Sequence, residues 1–166
     1  GLQQEGGQIG GAYANAYSTA EALLGLTDQA VTTLGRAGRV GRALTWLASR
    51  QEDAGGWAGL SSADAGTSSE VLLAYAAAGV DPATVRTADG HPSALDYVED
   101  AVSVGYAATS PAAAGKVTVA LAACGVDVAD VGGVDLGDVL AREWYSPTLS
   151  AYGTVSDTLD TWAQSW

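Results

Sequence analysis

The chain has 166 residues, 48% of them hydrophobic and 16% charged, which suits one folded domain with a sizeable core and is unlike the composition of a disordered chain. Its 19 acids against 7 bases give a net charge of −12, which opposes binding to nucleic acid and to anionic membranes, and no apolar run reaches membrane-spanning length. One cysteine and one histidine exclude an internal disulfide and fall short of the ligands zinc takes.

In chain order, residues 1–11, with Gln3, Gln4 and paired glycines, read as the tail of a repeat whose first helix is missing. Gly1 is no initiator, which implies processing or excision from a longer chain. A helix is expected at 15–26. A glycine-broken connection follows at 27–41, with a short helical turn near 28–34 and a crowd of bases, Arg36, Arg39 and Arg42. The next helix, 40–52, carries Val40, Leu44 and Leu47 on one face, with Trp46 at its flank and Arg42, Ser49 and Arg50 turned outward. It stops at a glycine turn, Gly55 and Gly56, and Trp57 follows at once. There the Gln51 amide is placed to bond backbone groups at the helix end, and Trp57 to cover the last turn of that helix and the start of the next.

Helices are also expected at 66–78, with Thr67, Ser68 and Ser69 as caps, at 92–102, from Ser110 onward with Pro111 in its first turn, at 135–145 and at 153–166. The segment AYAAAGVDPATV at 74–85 recurs as ALAACGVDVADV at 120–131, an Ala-rich helix end closed by Gly79 or Gly125. Repeats of about 1–34, 40–85, 91–131 and 134–166 follow from this. Cys124, at one of these helix ends, reads as a small buried hydrophobe. His91, between Gly90 and Pro92, reads as a capping or surface residue.

Arg42, Ala43, Trp46, Leu47, Gln51, Gly55 and Trp57 resemble the QW motif of squalene and terpene cyclases, here with Gly55-Gly56-Trp57 at its end. The resemblance implies the all-α, α/α-toroid fold those enzymes share with protein prenyltransferases and cobalamin carriers: helical hairpins forming an inner ring within an outer one. The inner helices would be 15–26, 66–78, the one after Ser110 and 153–166. The outer ones would be 40–52, 92–102 and 135–145. That makes about seven helices and an incomplete barrel, since each repeat needs a neighbour to cover its apolar side.

The chemistry of the family is not carried over with the fold. The Asp-x-Asp-Asp acid of terpene cyclases, the zinc triad of prenyltransferases and the Cys-x-Glu-Gln signature of complement-like thioester domains are absent from this sequence, and Asp127, Asp130, Asp135 and Asp138 read as caps and a solvated face. No catalytic residue, metal or cofactor is expected. The expected function is a noncatalytic toroid module of a secreted or cell-surface protein, used for binding or self-assembly. A fragment of a terpene cyclase or prenyltransferase-type enzyme is the alternative, and a cobalamin-type ligand domain a third reading. A ligand site belongs at the end where inner helices begin, with Tyr13, Tyr17, Trp57, Asp64, Tyr106, Tyr152 and Asp157, beside Asn15, Thr67, Thr109, Ser110 and Thr154, most of which are also good caps. The stripe Leu159, Trp162 and Trp166 is the expected interface, covered by another copy of the chain or by a separate protein that completes the ring.

Overall fold

The computed structural model describes residues 3–10, 14–27, 36–147 and 151–152, and these form a mostly helical structure. The elements are α1 (Ala16–Thr27), α2 (Arg36–Ala48), α3 (Ala65–Ala77), α4 (Ala94–Ser103), α5 (Pro111–Ala123) and a single turn, α6 (Leu136–Asp138). Short 3-10 turns lie at Pro82–Thr84 and Tyr106–Ala108, and a π-helical segment, Val139–Trp144, continues α6 into a small antiparallel hairpin of β1 (Tyr145–Ser146) and β2 (Ala151–Tyr152). The stripe Leu159, Trp162 and Trp166, the helix at 153–166, and the turn near 28–34 lie outside the described residues.

Helices α1, α3 and α5 pack side by side, while α2 lies against α1 and α4 against α3 and α5. The first three therefore make one layer and α2, α4 and the α6 segment cover it. The middle helix α3 is buried along most of its length, Thr67, Ser68, Ser69 and Glu70 included, because it has neighbours on either side. Leu23, Leu47, Trp57, Leu72, Val98, Val117 and Leu121 fill the space between the layers, all with no exposed surface.

The core face of α2 has the expected spacing: Ala43 and Leu47 are buried, Val40 and Leu44 pack against the core, and Arg42, Ser49 and Arg50 are exposed. The helix begins at Arg36, earlier than the connection at 27–41 implies. Gly38 and Gly41 stay helical because packing of Val40, Ala43 and Leu47 outweighs the roughly 1 kcal/mol each glycine costs. Past its end the Gln51 side chain, itself buried, donates from Nε2 to the carbonyls of Gly55 (2.8 Å) and Val85 (3.1 Å). Gly55 has φ +95°, and any Cβ there would run into the backbone carbonyls of Pro92 and Ser93 at the start of α4, so glycine is required twice over. Trp57 then closes the unit: its Nε1 donates to Leu47 O at 2.6 Å, its backbone N–H donates to Ser68 Oγ at 2.9 Å, and its ring tilts against Tyr75.

The same arrangement occurs at the N-terminus. Gln3 Nε2 donates to Gly7 O (3.0 Å) and to Arg39 O (2.8 Å), Gly7 has φ +101° and sits on the Arg42 carbonyl of α2, and Ile9 N–H donates to Thr19 Oγ1 (3.1 Å) as Trp57 does to Ser68. Gln3, Gly7 and Ile9 thus repeat Gln51, Gly55 and Trp57. The recurring segments at 74–85 and 120–131 also coincide in structure. Gly79 N–H bonds Ala76 O and Val80 N–H bonds Tyr75 O, matched by Gly125 to Ala122 and Val126 to Leu121, the paired bonds of a Schellman cap with a valine just beyond.

The expected helix at 135–145 departs most from its reading, since only one α turn forms before the backbone widens into the π segment. Arg142 there pairs with Asp138.

Replacing Trp57 by Ala removes a fully buried aromatic and its hydrogen bond, so the expected loss is about 3–5 kcal/mol. Urea unfolding checks this, and an unchanged midpoint would remove Trp57 from its role as the clamp.

Candidate functional site

The starts of α1, α3 and α5 are each fixed by a short polar cap. Asn15 Oδ1 accepts from Ser18 N–H, Asp64 Oδ1 from Thr67 N–H and Ser110 Oγ from Ala113 N–H. With the starts aligned, the sixth residue of each helix is Glu21, Glu70 and Lys116. The charged groups of this layer therefore come into one row. Lys116 Nζ lies 2.8 Å from Glu70 Oε1, with the Glu70 side chain 10% exposed and that of Lys116 29%.

Tyr17, the second residue of α1, completes the cluster. Lys116 Nζ stands 4.9 Å from its ring centroid, and the Glu21 carboxylate lies one turn on along α1. Burial, only partly offset by Lys116, raises the Tyr17 pKa. Burial also lowers that of Lys116, but the hydrogen bond and attraction of Glu70, with Tyr17 and Tyr106, outweigh it and hold the ammonium above its usual range. Tyr106, half-buried in the 3-10 turn before α5, has its hydroxyl beside Gly66, where a side chain would crowd it. Burial, then the Asp64 carboxylate, raises the Tyr106 pKa.

Of the residues expected at a ligand site, the structure thus brings together Tyr17, Asp64 and Tyr106 around Lys116 and Glu70. Trp57 is not among them, since it is wholly buried and its one polar atom is used on Leu47. Tyr152 sits across from Tyr145 on the β hairpin, ring centroids 5.3 Å apart, and is exposed. Tyr13, Thr154 and Asp157 lie outside the described residues. Thr67 is buried under the Asp64 cap, and Thr109 Oγ1 donates to Tyr106 O. Glu70 and Lys116 were not visible as a pair in the linear sequence; aligning the capped starts of α3 and α5 is the signal that finds them.

Other reactive side chains are arranged for structure. His91 Nδ1 lies 2.8 Å from Thr87 Oγ1 and 3.5 Å from Asp53 Oδ1, so both neighbours meet the same ring nitrogen. A relay needs the acid on one nitrogen and the hydroxyl on the other. The Cys124 thiol is half-buried and burial pushes its pKa up to about 11, which keeps it protonated and unreactive at neutral pH. Among the described residues no group of three or more His, Cys, Asp or Glu is placed to hold a metal ion, and no helix is long and apolar enough to cross a membrane.

Comparison with known proteins found no matching family model, curated protein or solved structure.

Glu70 is buried and its charge is balanced by Lys116, so removing the ammonium strands a carboxylate in the layer. Lys116→Met is expected to destabilise the fold by about 1–3 kcal/mol at neutral pH. Glu70→Gln in the same chain should recover most of that loss, and chemical unfolding of the single and double variants checks it.

Proposed function

We propose that the chain is a noncatalytic α/α-toroid repeat module of a secreted or cell-surface protein, used for binding or self-assembly, with α1, α3 and α5 as inner helices and α2, α4 and the α6 segment as outer ones. The observation that carries this reading is the repeated tie of Gln3 with Gly7 and Arg39 and of Gln51 with Gly55 and Val85. Each tie joins the glycine turn before an inner helix to the start of the next outer helix or the loop leading into it. Repeats joined by the same bonds are related by nearly the same rotation, and a constant rotation between helical hairpins curves a layer toward a ring.

The inner row supports a contact surface over a catalytic one. Glu70 is paired with Lys116 and Asp64 caps α3, so these two carboxylates each have a structural partner. A general acid or base needs a group whose proton can move to substrate. Tyr17, 40% exposed, and the outer part of Lys116 face outward and give a small binding partner an aromatic face beside a cation.

Incubation with squalene and with polyprenyl diphosphates tests the assignment directly. No product is expected from either. A product whose formation is lost in Asp64→Asn or Lys116→Met protein would overturn the noncatalytic reading in favour of an enzyme fragment.

A further inference from the structure

The bases of this acidic chain are not spread over it. Four of the seven, Arg36, Arg39, Arg42 and Arg50, fall within α2 and the turn after it, and no acid occurs between Asp28 and Glu52. Arg39, Arg42 and Arg50 are exposed. Helical spacing places Arg39, Arg42 and the half-buried Trp46 along one side of α2, and Arg50, in the turn after it, returns to the Trp46 ring. The Arg50 guanidinium lies 5.3 Å from the Trp46 ring centroid, and Arg42 donates to Gln3 Oε1 at 3.0 Å. Among the described residues, none of these three arginines pairs with a carboxylate, whereas Lys116 and Arg142 do. Planar guanidinium groups held against an aromatic ring and an amide are already oriented, so little side-chain freedom is lost when a carboxylate meets them.

The opposite charge collects around α4 and the loop after α5. Glu99 and Asp100 lie on α4, and Asp127, Asp130 and Asp135 on the loop, all but the half-buried Glu99 exposed. The two segments adjoin: Gly132 of the loop packs toward Ser103 at the end of α4, and Glu99 and Asp81 both act on Cys124 at the end of α5. From residue 81 to 138 the bases are Arg86 and Lys116, and Lys116 is taken by Glu70.

We infer that the Arg39–Arg42–Trp46–Arg50 stripe of α2 docks on the acidic α4 and loop surface of a second copy of this chain. The two patches are complementary in sign and lie on different covering helices of one molecule, so copies can meet through unlike surfaces and further copies can add. The inference rests on the reading of the chain as an assembly module and names the contact that module would use. Whole-molecule repulsion at −12 opposes the approach at long range, while the patch contact acts at short range. Ionic strength separates the two: at about 0.1 M the screening length of about 10 Å hides most of the former, and at about 1 M a length of about 3 Å weakens the latter as well.

Sedimentation velocity over a concentration series at these two salt levels tests the contact. Self-association is expected at the lower salt and at least a tenfold weaker one at the higher. Arg39→Glu/Arg50→Glu, which leaves the Gln3 bonds in place, and Glu99→Lys/Asp100→Lys should each be monomeric with an unchanged circular dichroism spectrum. An equimolar mixture of the two variants should associate again, because the reversed stripe of one then faces the reversed surface of the other. A monomeric wild-type chain at 0.1 M salt, association that survives charge reversal, or a monomer that binds heparin through α2 would each overturn the inference. Failure here without turnover of squalene or polyprenyl diphosphates would leave the noncatalytic reading standing, whereas turnover would remove that reading whatever the mass.

Discussion

The Gln51 amide is the constraint on which the rest of the structure depends. Its two hydrogens reach carbonyls from different parts of the chain, Gly55 in its own turn and Val85 before the next covering helix. A single hydrogen bond is worth only about 1 kcal/mol net, but a buried carbonyl left without a donor costs about 1–3 kcal/mol, and while Val85 O also accepts from Ala94 N–H, Gly55 O takes its bond from this amide, so the amide is hard to replace. Once the turn is tied, Gly55 can lie directly on the start of α4, and Trp57 is delivered to the one place where its ring seals the layers, its indole N–H finds Leu47 and its backbone N–H finds Ser68. The placement of α2, α3 and α4 relative to one another follows from that one side chain, and Gln3 does the same for α1 and α2.

These features were legible in the sequence to the extent that their chemistry is local. A glutamine followed by two glycines and a tryptophan at a helix end specifies a turn, a donor and a clamp within seven residues. The recurring Gly-Val-Asp segments likewise specify helix ends, and Gly79 and Gly125 take φ values of +74° and +79° there. The beginning of α2 was not legible, because Gly38 and Gly41 signal a break and only the packing of the residues around them overrides that signal. The segment after Asp135 keeps helical spacing of Leu136, Val139 and Leu140, but spacing does not report how many residues the backbone spends per turn, and the π widening passes unnoticed.

The candidate site was legible one residue at a time and not as an assembly. Tyr17, Asp64 and Tyr106 could be placed at helix starts from their caps, yet what joins them is Lys116, which lies 46 residues beyond its partner Glu70 in an alanine-rich helix with no other charge. Trp57 shows the reverse difficulty. An aromatic after a turn satisfies the pattern of a ligand contact and of a core residue equally, and only the depth at which its indole N–H meets Leu47 decides between them.

The acidity of the chain has a structural origin that bears on how its charges are used. Asp64, Asp81, Asp96, Asp127, Asp130 and Asp135 each accept a backbone N–H at the start of a helix or turn. For Asp96 the backbone and hydroxyl bonds from Ser93 hold the carboxyl below its usual range. A fold made of short helices joined by glycine-rich turns needs many such caps, and aspartate meets the need while favouring the positive end of the helix it starts. Much of the −12 net charge is therefore a by-product of closing turns, and a run of aspartates here does not by itself mark a site for a cation. Bases have no equivalent duty at these positions. Lys116 neutralises a buried acid, Arg142 pairs with Asp138 and Arg86 donates to the carbonyls of Ala83 and His91 in its own turn, which leaves Arg39, Arg42 and Arg50, on and just after α2, as bases with neither duty.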